Sequence, residues 1–465
     1  MAKDFIVAIE LGSSKMTGIA GRKNPDGSIS ILAVAKEDSA SYIRKGVAYN
    51  IERTAQGLSN IVSKLKNTLK TEIEQVYVGI GGQSIHSVKN SIVKELPLDC
   101  IVSQDMVNEL MDTNRSMEYK DCEILDAITQ EYNVDGHYED DPVGIQARHL
   151  EGNFLNVLWR RSFYRNLNKS LDNSGIKVAE MYLAPLTMAD CVLTDAEKRA
   201  GCVLVDLGAD TTTVSVYYRN KLRHIAVLPL GGSNVTKDLE SLQIDEINAE
   251  AMKLKHASAL TNEKDIDADA TLPIGDGRTI PSRMFIQVVE ARMLEIVENV
   301  KYLVPHEFAD KLLGGIVLTG GGSNMKNVEK LFHEVFDVEK VRIAKSTTLN
   351  INKKDSDVIL SEDGTTNTIL GLLAKGDMNC AGRAISGSLF DEEVEPGSEN
   401  TVTLDPTLAA TGTQPAAQTT AQPAANAEEE EEEKAPEPHK PTKFSRFFGS
   451  LKKFGSSIFE PDVNE

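Results

Sequence analysis

Two acids, Glu10 and Asp206, occupy matching places in two matching stretches of the chain. Asp206 ends the apolar run 202–205 and is followed by Leu207 and a turn of Gly208, Ala209, Asp210, Thr211 and Thr212, before a Val- and Thr-rich return. Glu10 ends the run 5–9 in the same way, with Leu11 and then Gly12, Ser13, Ser14 and Lys15 before a return strand containing Thr17. A turn of small residues bares backbone N–H groups that can cradle phosphate oxygens. A carboxylate at a strand end can hold a hydrated Mg²⁺ through water. One such hairpin is equally a plain strand connection, but two predict a duplicated fold with a ligand clamped between its halves.

A third stretch adds to this pattern. The apolar residues 315–319 lead into Gly320, Gly321, Gly322 and Ser323, with a helix-forming run at 328–336 beyond. Glycines let a purine or phosphate approach the backbone, and a helix start adds a favourable dipole. Alone, this run also suits a Rossmann reading, provided the first hairpin is ignored. Gly231 and Gly232 open another helical segment, and Glu250 and Lys253 share a helix face at i, i+3. By residue type alone, that pair reads as a solvated ion pair.

The elements that must position these residues alternate. Residues 29–36 read as a strand, 52–71 as a helix, and 76–80 as a buried strand leaving through Gly81 and Gly82. That alternation predicts α/β layers. From 85 to 160 short alternating runs surround a helix-like 104–116, with a turn at Asp141, Pro142, Val143 and Gly144. This predicts a small inserted α+β unit, whose His86, His137 and His149 are too scattered for a metal site. Helices are expected over 163–174 and 284–304, the first amphipathic.

A chain of 465 residues exceeds one compact core, so two or more domains are expected. The net charge of −20 argues against a nucleic-acid partner. Five scattered cysteines without a CxxC fit a reduced cytosolic protein, and neither a signal peptide nor a membrane-spanning run is expected. Residues 388–441 are rich in Glu, Ala, Pro, Thr and Gln, which predicts a disordered acidic linker. The tail 442–465 differs. Phe444, Phe447, Phe448, Leu451, Phe454, Ile458 and Phe459 share one helical face, with Arg446 and Lys453 opposite. That pattern predicts an in-plane membrane helix; docking on the core or in a protein groove are the alternatives.

Taken together, the two phosphate-type hairpins, the triple-glycine loop and the tethered tail make the chain resemble the actin/Hsp70/sugar-kinase ATPase superfamily. Within it the chain is similar to the FtsA family of bacterial cell-division proteins, through Asp141 to Gly144, Gly231 to Asp238, and Ala249 with Glu250 through His256. The resemblance implies a duplicated actin-like (ribonuclease H-like) α/β fold. Its parts would be 1–84, an inserted subdomain 85–162, the remainder 163–387 with a partner-binding subdomain at 234–302, the linker and the tail. It implies Mg²⁺ near Glu10 and Asp206 through water, and ATP phosphates between residues 12–15 and 208–212. Gly320 to Ser323 would lie on the adenosine side with Gly231 and Gly232 nearby, and Glu250 and Lys253 would flank ribose and adenine.

The implied partners are the C-terminal peptide of the tubulin-like protein FtsZ, met by Arg283 and Arg292, further copies of the chain in protofilaments, membrane lipids and other division proteins. The implied location is the cytoplasmic face of the cell membrane at the division site. A soluble sugar kinase of the same superfamily is the alternative.

Three departures stand out. Glu10 replaces the usual Asp, and Thr213 replaces an Asp that commonly closes the second hairpin. Ala184 precedes Pro185 where many relatives carry a Glu that positions water. Losing such a group removes a contribution of roughly 10²–10⁴ in rate, so ATP binding with slow or negligible hydrolysis is expected.

Overall fold

The computed structural model describes residues 4–262, 264, 267, 270–275, 277–352 and 360–381. The expected linker and membrane tail lie outside the described residues. Strands β1 (Ile6–Leu11), β2 (Lys15–Lys23) and β3 (Ile29–Asp38) form an antiparallel meander, followed by the small hairpin β4 (Ile43–Arg44) and β5 (Val47–Ala48). Helix α1 (Ile51–Leu69) follows. Asn50 caps its first turn by accepting from the Arg53 N–H, and left-handed Lys70 ends it. Its face of Leu58, Ile61, Val62 and Leu65 is buried on the sheet. That i, i+3, i+4, i+7 spacing is what makes 52–71 legible as a helix. β6 (Gln75–Ile80) then pairs parallel to β1.

The inserted unit runs through β7 (His86–Glu95), α2 (Gln104–Arg115), β8 (Cys122–Val134), β9 (His137–Glu139) and β10 (His149–Arg160). It carries its own apolar cluster, including Leu110, Tyr132, Leu150 and Phe154. The chain returns through α3 (Arg161–Ser174), β11 (Lys177–Leu183), α4 (Ala184–Val192) and α5 (Asp195–Ala200).

The second half repeats the first. β12 (Cys202–Leu207), β13 (Thr212–Tyr218) and β14 (Lys221–Leu228) form another meander. Then come α6 (Gly232–Glu240), α7 (Glu246–His256), β15 (Thr271–Gly275), β16 (Arg278–Pro281), α8 (Ser282–Leu303), β17 (Gly315–Thr319), α9 (Val328–Phe336) and β18 (Val341–Ile343). β19 (Ile351–Asn352) and α10 (Asn367–Lys375) cross back to the first half, where β19 pairs with β3.

One sheet has the order β11-β6-β1-β2-β3-β19, and the other contains β18-β17-β12-β13-β14. The five-strand order and the parallel and antiparallel pairings are the same in both. The duplication expected from the two hairpins is therefore present in the topology. The inserted unit extends the second sheet through β7, where His86 pairs with Ala226, rather than standing apart from it. Between the halves, α4 packs against α10. Gly371 permits this close crossing, since a Cβ there would lie 2.5 Å from the Thr187 carbonyl oxygen.

Candidate functional site

Register places the two acids equivalently. Glu10 pairs with Thr17 across β1–β2, and Asp206 pairs with Thr213 across β12–β13. Desolvation, and then the nearby charge of Asp206, push the Glu10 carboxyl up to about 8, partly offset by a hydrogen bond from Thr368. Burial raises Asp206 to about 6. Neither acid has a basic partner among the described salt bridges. Two desolvated carboxylates near one another must hold protons or face a cation. Among the described residues no three His, Cys, Asp or Glu side chains converge on a metal geometry. An ion here would draw most ligands from water and phosphate oxygens. That is the habit of Mg²⁺, so these donors fit it.

The turns beside the acids are built by close backbone contact. Ser39 is fully buried, and its hydroxyl donates to the Gly12 carbonyl at 2.6 Å. Gly46 donates its N–H to Ser13 Oγ at 2.8 Å. In the second turn the Gly208 N–H donates to the Thr211 carbonyl at 2.9 Å. Gly232 and Ser233 donate to the carbonyls of Gly208 and Ala209 at 3.0 and 2.7 Å. The first N–H groups of α6 are thus engaged with the phosphate-type turn. Gly231 is required there, because a Cβ would lie 2.5 Å from the Ala209 oxygen.

The triple-glycine loop folds against the same place. Gly320 has φ 81°, and a Cβ on it would lie 2.3 Å from Asp206 Oδ1. Ser323 closes the loop by donating to the Gly320 carbonyl at 2.7 Å. The loop itself forms a 3₁₀ turn, Gly321–Asn324, and α9 starts only at Val328. Asn327, left-handed at φ 59° and donating to Ser258 Oγ and the Leu260 carbonyl, separates the two.

Glu250 and Lys253 are paired at 2.6 Å, and Lys253 Nζ also donates to the Gly232 carbonyl and Thr236 Oγ1 at 3.1 and 2.9 Å. The pair therefore buttresses the start of α6 beside the second turn, a placement that accommodates both the ion-pair and the ligand reading. Arg292 forms a two-pronged pair with Asp238, at 2.5 and 3.0 Å, and also meets Glu295. Arg283 is exposed in the first turn of α8. Ala184 is buried at the start of α4, and Thr213 is buried on β13.

Several neighbours escaped sequence reasoning. Ser39 precedes the β4–β5 hairpin, and Lys45 and Gly46 form its turn, whose only signal is a Lys-Gly pair between Arg44 and Val47. Thr368 reaches Glu10 from α10. Buried Asn367 donates to Thr319 Oγ1 and the Ala344 carbonyl at 3.0 and 2.8 Å. Its own Oδ1 has no partner among the described residues.

Residues 203–361 match the family model for cell division protein FtsA, and residues 82–158 match the model for the SHS2 domain inserted in FtsA. The chain is 32% identical to the cell division protein FtsA of Porphyromonas gingivalis over 354 residues, covering 74% of each chain. It is 29% identical to the protein of the same name from Neisseria meningitidis serogroup B over 342 residues, covering 72% of this chain and 82% of that one. Among solved structures, a PilM–PilN type IV pilus biogenesis complex overlays with a TM-score of 0.54 at 14% identity, over 79% of this chain and 97% of that one. That likeness speaks to the fold alone.

Proposed function

The chain belongs to the FtsA family of cell division proteins, on an actin-like fold, and from that premise we propose that it is an ATP-binding tether holding the FtsZ ring to the membrane. One observation carries the nucleotide part: Glu10 and Asp206 stand at equivalent register positions beside turns built without side-chain bulk. Glu10 and Asp206 would hold Mg²⁺ through water. Gly12, Ser13, Ser14 and Lys15 would line one side of the phosphates, and the backbone of Gly208, Ala209, Asp210, Thr211 and Thr212 the other. Gly320 to Ser323 would take the adenosine side, with Gly231, Gly232, Glu250 and Lys253 behind it. When bound, Mg²⁺ supplies charge neutralisation of the phosphates. No carboxylate stands at Ala184 to orient water, so binding with slow turnover is expected. Steady turnover on the order of one per second or faster would contradict that.

The remaining division into parts is proposed with it: 1–84, 85–162, 163–387 with 234–302 as the FtsZ-peptide subdomain, a linker at 388–441 and a membrane helix at 442–465. Among the described residues no helix is long and apolar enough to cross a membrane, so the proposed attachment is through the tail on the cytoplasmic face at the septum. One short amphipathic helix binds weakly, and head-to-tail assembly of copies would multiply its hold by avidity. The test is co-pelleting with anionic liposomes, with and without residues 442–465, alongside binding of a fluorescent ATP analogue. Loss of pelleting with nucleotide binding intact is expected; a truncated protein that still pellets would remove the tail from this role. The sugar-kinase alternative gains no support from the relatives, which are division proteins by name.

A further inference from the structure

Asp210 is out of place by chemistry: a carboxylate in a turn of Gly, Ala and Thr repels the phosphates that the bare N–H groups would attract. In the structure that carboxylate is engaged. Its Oδ2 accepts the backbone N–H of Lys45 at 3.0 Å, from the opposite half of the duplicated fold. Lys45 and Gly46 form the two-residue tip of the β4–β5 hairpin, at φ 50° and 72°. Two consecutive left-handed residues mark a type I′ turn, and such backbone is uncommon for a lysine. The tip aims its two N–H groups at the two phosphate-type turns, Gly46 at Ser13 Oγ and Lys45 at Asp210. Behind the tip, the Lys45 carbonyl accepts from Gln83 N–H at 2.8 Å, and Gly46 packs directly on Gly82. The tip is thereby fixed to the first half before it reaches across.

We propose that Asp210 is a positioning residue: by accepting the Lys45 N–H it latches the two phosphate-type turns together and slows escape of a nucleotide held between them. The inference rests on the nucleotide reading of the cleft. Of the tip's two side-chain bonds, the one to Asp210 is the one that crosses between the halves, so it is the contact whose loss should let them part.

The test uses the full chain with Asp210→Ala, which removes the acceptor, and Asp210→Asn, which keeps a carbonyl acceptor. Two quantities are read: hydrogen exchange of the 43–48 segment without nucleotide, and release of a methylanthraniloyl-labelled ADP with Mg²⁺. Asp210→Ala should speed both by about tenfold, while Asp210→Asn stays within about threefold of the parent, as expected when one hydrogen-bond acceptor is lost or kept. Unchanged exchange in Asp210→Ala would overturn the latch. Faster exchange with unchanged release would overturn its control of nucleotide escape. If the parent protein takes up no labelled ADP, the nucleotide reading fails and nucleotide control fails with it, while the exchange measurement still decides whether Asp210 joins the halves.

Discussion

Glu10 is the residue whose ionisation most sharply reflects its surroundings. Its carboxyl sits near 8 in the folded chain against an ordinary value of 4.5, and Asp206 sits near 6 against 3.8. A folded-state value above the unfolded one means that the folded protein keeps a proton the unfolded chain releases. The stability this brings is complete below the unfolded values and is lost as pH rises through the folded ones. Without Mg²⁺, thermal denaturation should therefore show stability falling from about pH 4 to pH 8, and Glu10→Gln should flatten much of that fall. A variant whose profile stays parallel to the parent's would show that Glu10 carries no such strain. Gly320 gives a second prediction. A methyl group there meets Asp206 at 2.3 Å in a left-handed backbone. Gly320→Ala should cost about 2 kcal/mol in chemical denaturation and weaken nucleotide binding; a shift within experimental error would mean that the loop relaxes freely.

Elements decide what the two arginines of α8 can do. Arg292 is committed to Asp238 and Glu295, which ties α8 to α6. Arg283 projects from the exposed first turn of the same helix. Arg292→Ala should thus lower stability by about 1 kcal/mol, the discount reflecting partial solvent screening. Arg283→Ala should leave stability unchanged and weaken binding of an acidic FtsZ C-terminal peptide. Calorimetry and peptide titration on both variants check the assignment, and equal peptide loss in the two would contradict it. A second element-level test is the α4–α10 crossing. Gly371→Val places side-chain atoms against the Thr187 carbonyl and should cost about 1–3 kcal/mol as overpacking, read from the unfolding midpoint.

At the scale of the whole molecule, two equivalent sheets contribute one buried acid each, near enough for the charge of one to raise the other. A ligand joining them acts on the entire fold by linkage. Mg-ATP at about one hundred times its dissociation constant should stabilise the protein by about 2.7 kcal/mol, raising the melting temperature by a few degrees. Removing Mg²⁺ with a chelator should reduce most of that shift. Absence of any shift at millimolar Mg-ATP would favour a scaffold whose cleft binds nothing.

The local sequence by itself determined much of this protein. The period-3.6 pattern of α1, the apolar runs of β1, β12 and β17, and the repeat of acid, Leu-Gly and small residues are all short-range signals, and they were enough to read a duplicated α/β fold with paired turns. Only the tertiary structure decided which atoms meet. Nothing near Asp210 announces that its partner is the Lys45 N–H, because that bond spans 165 positions and one partner is backbone. Thr368 meets Glu10 for a similar reason: α10 returns to the first half late in the chain and packs there on β1, β2 and β6. The inserted unit was legible as a change of texture, but its joining of the second sheet through Ala226 and His86 was not. Strand pairing over that distance depends on which edge is left open once the halves have folded, and no window of sequence holds that information.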